Sequence, residues 1–347
     1  MSRGADRPVE MPGHRSDIPT PSPRRLLVTI DTEGDNLWAN PRRITTRNTA
    51  FLPRFQAICE RYALAPSWLV NYEMVSDPTF VEFGRDVLAR AAGEIGCHPH
   101  AWNTPPIHPL TRDDYAFTPY LTEYPDSIIA AKLRTLTDLL ESTFDRKVVS
   151  HRAGRWAFND SYAKALVGLG YRVDCSVTPG IDWRTVPGNP AGDGGTDYTD
   201  ALRGAYRLSA KSDSGAILWE LPMTIRPAGR SVAATIRRAL RTITPARKIW
   251  NRLYPAVRWL RPRPGNRNDM LRLLQDVAVE GAPYAEFMLH SSELMPGGSP
   301  TFRDERAIDL LYDDLEALFE QARSLGYLGV TLQAYADELD RSVTSTA

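Results

Sequence analysis

Leu26-Leu27-Val28-Thr29-Ile30-Asp31-Thr32-Glu33-Gly34-Asp35 is a short apolar run that ends in carboxylates and a glycine. The run Leu26–Asp31 has the length and residue types of a buried strand, and a helical pattern follows over Thr49–Tyr62. The same succession recurs along the chain. Candidate strands lie at Ser67–Tyr72, Glu94–His98, Lys147–Arg152, Arg172–Ser176, Ile217–Pro222, Tyr284–His290 and Leu328–Leu332. Between them lie helical patterns at Pro78–Ala91, Asp126–Phe144, Asn159–Leu169, Asp269–Val279 and Asp304–Leu325, with Asp126 and Asp304 where N-caps are expected. Strands alternating with helices predict an α/β fold with a mostly parallel sheet. Seven or eight such strands in roughly 300 residues suit a distorted (β/α) barrel better than two small domains. There is no internal repeat.

The flanks and interruptions set the domain plan. Residues 1–24 are rich in Pro and Arg with no apolar segment, so they read as a disordered leader rather than a signal peptide. Residues 25–340 read as a single barrel domain. It carries a Gly-, Asp- and Pro-rich loop insertion at 183–216 and a basic helical insertion at 226–268. The stretch 221–268 holds 12 basic residues and no acidic one, which leaves 30 basic against 42 acidic elsewhere in a chain of zero net charge. That balance gives no global field for nucleic acid. Arginines mixed with Trp250 and Trp259 over 231–262 suit an anionic membrane surface; a helical subdomain pairing with the acidic remainder is the other reading. Three cysteines, far apart and odd in number, argue against a disulfide framework. No run of 18 apolar residues occurs, so a cytoplasmic protein is expected, peripheral to the inner membrane if the first reading of the basic stretch holds.

In a barrel of this kind the chemistry sits at the C-terminal ends of the strands. The polar residues there are Asp31 and Glu33, His98 and His100, Arg152, Asp182, and His290. Residues i and i+2 of a strand share a face about 6.5–7 Å apart, so His98 and His100 could reach one ion, and Asp31 and Glu33 share a face likewise. Each has an ordinary explanation when judged singly: a solvated turn, a surface arginine, a structural histidine. Together, five separate segments supply the residue types that metal-assisted hydrolysis needs, each in the expected place.

These segments resemble the five motifs of the polysaccharide deacetylases, the NodB-homology group of carbohydrate esterase family 4. Thr29-Ile30-Asp31-Thr32-Glu33-Gly34, Glu94 through His100, His151-Arg152-Ala153-Gly154-Arg155-Trp156, Asp174 through Trp183 and Met288-Leu289-His290 are similar to them in order. The wording of the first and last segments looks closest to a WalW-like branch. The resemblance spans roughly residues 26–335. It implies a metal-dependent hydrolase that removes N- or O-acetyl groups from a polysaccharide, lipopolysaccharide or lipid-linked sugar. It implies Asp31 as catalytic base, held ionised by Arg152, and His290 as catalytic acid, tuned by Asp182 or Asp174. It also implies Glu33, His98 and His100 as metal ligands, and Trp183 and Trp156 as flat faces for a sugar ring. The N/O donor set suits Zn²⁺, with Co²⁺, Mn²⁺ and Ni²⁺ as related choices. Two departures stand out. The family's adjacent Asp-Asp is here Asp31-Thr32-Glu33, and its second histidine position is Trp102, so His100 fills that role by strand geometry alone. Three other readings stay open: a hydrolase of other C–N bonds on the same scaffold, an inactive carbohydrate-binding relative, and a glycoside hydrolase using Asp31 and Asp182.

Overall fold

A computed structural model describes residues 24–208, 217–228 and 257–344 of the chain. Its centre is a curled sheet with strand order β10-β1-β2-β3-β4-β5-β7-β6. The strands are β1 (Arg25–Thr32), β2 (Ser67–Val70), β3 (Glu94–Cys97), β4 (Ser150–His151), β5 (Val173–Asp174), β6 (Tyr206–Leu208), β7 (Leu218–Glu220) and β10 (Tyr284–His290). β11 (Leu328–Val330) pairs with the first half of β1, while β2 pairs with its second half. All pairs run parallel except β6 on β7. β1, β2 and β3 are buried almost throughout, which is why their sequences read as unbroken apolar runs rather than as alternation. Trp68 of β2 fills the space under the flanking helices, edge-on to both Phe55 and Phe83.

The eight expected strands are all present, and the expected distorted barrel is a half-barrel. Between β7 and β10 no strand ladder closes the sheet among the described residues. The seam is bridged by single hydrogen bonds: Glu286 N–H to Thr224 Oγ1 (2.8 Å), Tyr284 O–H to the Pro222 carbonyl (2.8 Å) and Met288 N–H to the Leu260 carbonyl (3.2 Å).

Local chemistry sets the helix starts. Asp77 and Asp304 cap their helices, accepting from Thr79 N–H (2.9 Å) and Ala307 N–H (2.8 Å). Asp126 does not cap: Pro125 takes that place and Asp126 is the first helical residue. A last helix, Leu332–Thr344, was not expected from the periodicity. The 183–216 loop turns back on itself through an isolated Asp182–Asp197 bridge and then supplies β6.

Where a helical insertion over 226–268 was expected, its described ends are β8 (Ile225–Pro227) and β9 (Val257–Trp259), an antiparallel pair. The rest of that insertion, and 231–256 of the stretch read as a membrane surface, lie outside the described residues, as does the leader up to residue 23. Among the described residues no helix is long and apolar enough to cross a membrane. All three cysteines are buried and free.

Candidate metal and acyl-transfer site

Strand register builds the site. Asp31 at the end of β1 is the direct partner of His290 at the end of β10, and of Leu69 on the other side. His98 N–H bonds to Val70 at the end of β2, and Arg152 N–H to Cys97 at the end of β3. Four of five consecutive strands, β10, β1, β3 and β4, thus deliver polar groups at their ends to one rim.

Glu33, His98 and His100 form a buried triad whose ligand atoms all lie within 4.8 Å of one another. His98 Nε2 and His100 Nε2 are 3.1 Å apart, and Glu33 Oε2 lies 3.3 Å from His100 Nε2 and 3.7 Å from His98 Nε2. Four-coordinate Zn²⁺ with Zn–N of 2.0–2.1 Å would set its donors about 3.3 Å apart, the spacing seen here. His98 Nδ1 donates to the Arg152 carbonyl at 2.9 Å, since a carbonyl can only accept. Its Nε2 is therefore the free donor atom, as a metal-bound imidazole requires. Burial holds both imidazoles below their usual range, hence neutral, and pushes the Glu33 carboxyl up to about 8, against the pull of His290. A carboxyl that burial keeps from ionising, facing two neutral imidazole nitrogens, is a site short of one cation, and the residues fit a divalent metal.

His100 is held by packing. Trp102, standing where the family has its second histidine, stacks on its ring with centroids 4.6 Å apart. On the other side a Cβ at Gly154 would lie 2.4 Å from His100 Cδ2 and 2.5 Å from the Pro99 carbonyl, so only glycine fits. The next two residues, Arg155 and Trp156, adopt left-handed conformations (φ 57° and 63°), a turn that costs strain for side-chain-bearing residues.

Asp31 and Arg152 are fully buried as an ion pair, Nη1 to Oδ1 at 2.5 Å. Arg152 also donates to Thr29 Oγ1 (2.7 Å), to the Cys175 carbonyl (3.2 Å) and to Glu286. Burial alone would raise the Asp31 carboxyl. Arg152, aided by His98 and His290, overrides it and holds the group well below the usual carboxylate range. Asp31 Oδ1 is spent on Arg152, while Oδ2 faces His98 Nε2 at 3.9 Å and His290 Nε2 at 3.8 Å.

His290 stands across the cleft, with Nε2 3.9 Å from Glu33 Oε1 and Nδ1 3.2 Å from Glu293 Oε2. Glu293 also accepts the His290 backbone N–H at 2.9 Å. Although buried, its carboxyl is lowered to about 2, because Arg261 and His290 outweigh the burial. Trp38 meets His290 edge-on (centroids 4.9 Å) and is among the few exposed large apolar side chains.

The expected partners of His290 are corrected here. Asp182 is paired with Arg184 (2.9 Å) at the surface, two residues away, where a short-range partner satisfies it. Asp174 is buried against His151 at 2.6 Å. Trp156 is buried beside Arg152 and packs on Trp259 (5.4 Å), and Trp183 is partly buried with its indole N–H on Thr178, so neither is an open platform. Backbone N–H groups of Arg152, Ala153 and Gly154 after β4 are all engaged, by Cys97, Ser176 and Pro99, so they offer no oxyanion donor. Glu293, Arg261 and Trp38 were missed. Glu293 carried a signal, three residues after His290 at a helix-capping spacing.

No protein-family model matches the chain, and no curated protein matches it. Among solved structures it is similar to a protein assigned as a polysaccharide deacetylase from Mycobacterium smegmatis: 14% identity, 92% of each chain covered, TM-score 0.50. It is also similar to a 4-alpha-glucanotransferase from Thermococcus litoralis (11% identity, 90% of this chain and 38% of that one, TM-score 0.48). A third is a carbohydrate esterase family 4 pseudoenzyme from Bacillus anthracis (12% identity, 92% and 67%, TM-score 0.40). The first likeness establishes the fold: this chain has the deacetylase-type half-barrel.

Proposed function

We propose that this chain is a metal-dependent hydrolase of the polysaccharide deacetylase family that removes an acetyl group, N-linked in the first instance, from a glycan. The observation that carries this reading is the Glu33–His98–His100 triad with Asp31 on one flank and His290 on the other. A divalent cation held by Glu33, His98 and His100, Zn²⁺ by donor type, would supply an acidified water and polarise the acyl oxygen.

The chain's own residues do the rest. Asp31 accepts the water proton through Oδ2, the oxygen that Arg152 leaves free. Arg152 fixes the carboxylate plane and keeps it ionised. With the loop after β4 engaged, a backbone donor for the oxyanion would come from the loop after β3. His290 Nε2 gives a proton to the departing nitrogen, which leaves poorly as an anion. Trp38, exposed beside His290, takes the platform role for a sugar ring that was read into Trp156 and Trp183.

The test is metal content of the purified protein together with acetate release from N-acetylated chitooligosaccharides and bacterial surface glycans. One bound Zn²⁺ per chain, with acetate release abolished by chelator and by Asp31→Asn, is the expected result. Acetate release that survives both would sink the assignment. Sugar binding without metal or turnover would support an inactive carbohydrate-binding relative, and ring opening of a cyclic amide would support another C–N hydrolase.

A further inference from the structure

The acid side of the site has a second layer that the motifs do not contain. Arg261 Nη2 lies 2.9 Å from His290 Nδ1 and 3.2 Å from Glu293 Oε1. Arg261 sits just past β9, where the basic insertion returns to the barrel. Its position is fixed through backbone. Leu260 N–H bonds to the Thr224 carbonyl (3.1 Å), Met288 N–H to the Leu260 carbonyl (3.2 Å), and Asn266 Nδ2 donates to the Arg261 carbonyl (2.8 Å). The Met288–Leu260 bond is one of those that bridge the seam beside β10, so the seam and the guanidinium are placed together.

We infer that Arg261 is a positioning residue for the catalytic acid: it anchors Glu293, and Glu293 anchors His290. This rests on the deacetylase reading above. An imidazole that is to give up a proton from Nε2 must carry a second proton on Nδ1, and that proton needs an acceptor. Glu293 Oε2 is that acceptor, 3.2 Å away. Transfer then breaks the Nε2–H bond, forms an N–H bond on the leaving amine and leaves a neutral ring whose Nδ1–H stays on Glu293. In the neutral ring with its proton on Nε2, Nδ1 can accept from Arg261 Nη2 at 2.9 Å; once Nδ1 is protonated, the acceptor that Arg261 keeps among the described residues is Glu293 Oε1, and it holds the carboxylate in the orientation that takes the ring proton. A carboxylate buried this deeply is costly unless paired, and Arg261 is a cation paired with it. The basic insertion thereby contributes a working part to the site, in place of the Asp182 that lies elsewhere.

The experiment exploits leaving-group chemistry. An amide nitrogen needs the proton from His290, whereas 4-nitrophenolate leaves without one. In the zinc-loaded full chain, Arg261→Met should lower kcat for an N-acetylated oligosaccharide by ~10–100-fold, the usual size of an outer-layer effect, with KM little changed. The same variant should lose less than about threefold on 4-nitrophenyl acetate, and Arg261→Lys should recover part of the loss. Unchanged amide turnover, or equal losses on both substrates, would overturn the inference. A second readout does not depend on turnover: ¹⁵N NMR of the histidine rings in the metal-free and zinc-bound protein, with His290 assigned by His290→Ala. Wild type should give a His290 Nδ1 signal set by its contacts with Arg261 and Glu293, and Arg261→Met should shift or broaden that signal alone. Identical ring shifts in the two proteins would refute the inference, whereas shifted rings in a protein that releases no acetate would instead refute the deacetylase reading.

Discussion

Two histidines in this molecule rest their Nδ1 on a carboxylate, and the roles proposed for them are opposite. His151 meets Asp174 at 2.6 Å, and its Nε2 meets the Tyr162 hydroxyl at 3.0 Å; all three side chains are wholly buried. His290 meets Glu293 at 3.2 Å, and among the described residues its Nε2 faces the distant carboxylates of Asp31 and Glu33. The shorter, better-made pair is the inert one. A ring whose second nitrogen is already hydrogen-bonded inside the protein has no atom left for a substrate. What separates structural from chemical histidine here is thus the state of the far nitrogen, and the carboxylate behind the ring does not tell the two apart.

The comparison breaks most visibly at the far nitrogens. His290→Ala should cut amide hydrolysis by ~10²–10⁴-fold, the range for a lost general acid, while thermal unfolding stays close to wild type. His151→Ala should do the reverse. It removes one hydrogen bond from buried Asp174, which keeps those from Ser176, at about 1.5–3 kcal/mol of stability in urea unfolding, and kcat per folded molecule holds. If His151→Ala proves inactive but stable, the two roles have been misassigned. Between these extremes lies His100→Asn, which removes a ligand: zinc affinity measured by chelator competition should fall at least ~10–100-fold in a folded protein.

A gentler discrimination comes from pH. The Glu293 carboxyl is lowered to about 2 from an ordinary 4.5, since Arg261 and His290 outweigh its burial. A depressed carboxyl stabilises the fold above its unfolded pKa and loses that contribution as pH falls towards the folded one. The stability gap between wild type and Glu293→Gln should therefore narrow as pH falls from about 5 to about 3 in urea titrations. A gap that stays constant would argue against an ionised Glu293. The smallest effect is expected from Tyr162→Phe, which removes one hydrogen bond from His151: about 1 kcal/mol of stability and no change in kcat.

The parallel strands were legible because burial on both faces leaves a compact apolar signature, and the rim groups because each follows such a run. β6, β8 and β9 were not. Each spans three residues, in segments dominated by Gly, Pro or Arg. Within the site, Asp31, Glu33, His98, His100, Arg152 and His290 were readable, since strand register brings strand ends together and the sequence reveals the strand ends. The partner of His290 was not readable that way. Asp174 ends β5 and Asp182 lies in the loop after it, as a helper should, but His151 and Arg184 claim them first. Glu293 works through a one-turn helix, and Arg261 was one basic residue among twelve in the basic stretch. Side-chain competition of this kind is a property of distances, which a pattern of residue types does not encode.

Gly154 carries a consequence for how such a protein changes over generations. The missing side chain there leaves His100 its room, with 2.4 Å to the nearest ring atom of an added Cβ. Replacement by alanine would push the imidazole aside while every ligand, the base and the acid kept their identity. A descendant carrying that change would keep every candidate ligand, base and acid and the same half-barrel, yet the proposed metal site would have lost a donor. Decay of function in this lineage can therefore begin at a residue that takes no part in the chemistry, and a census of catalytic letters would count the descendant as intact.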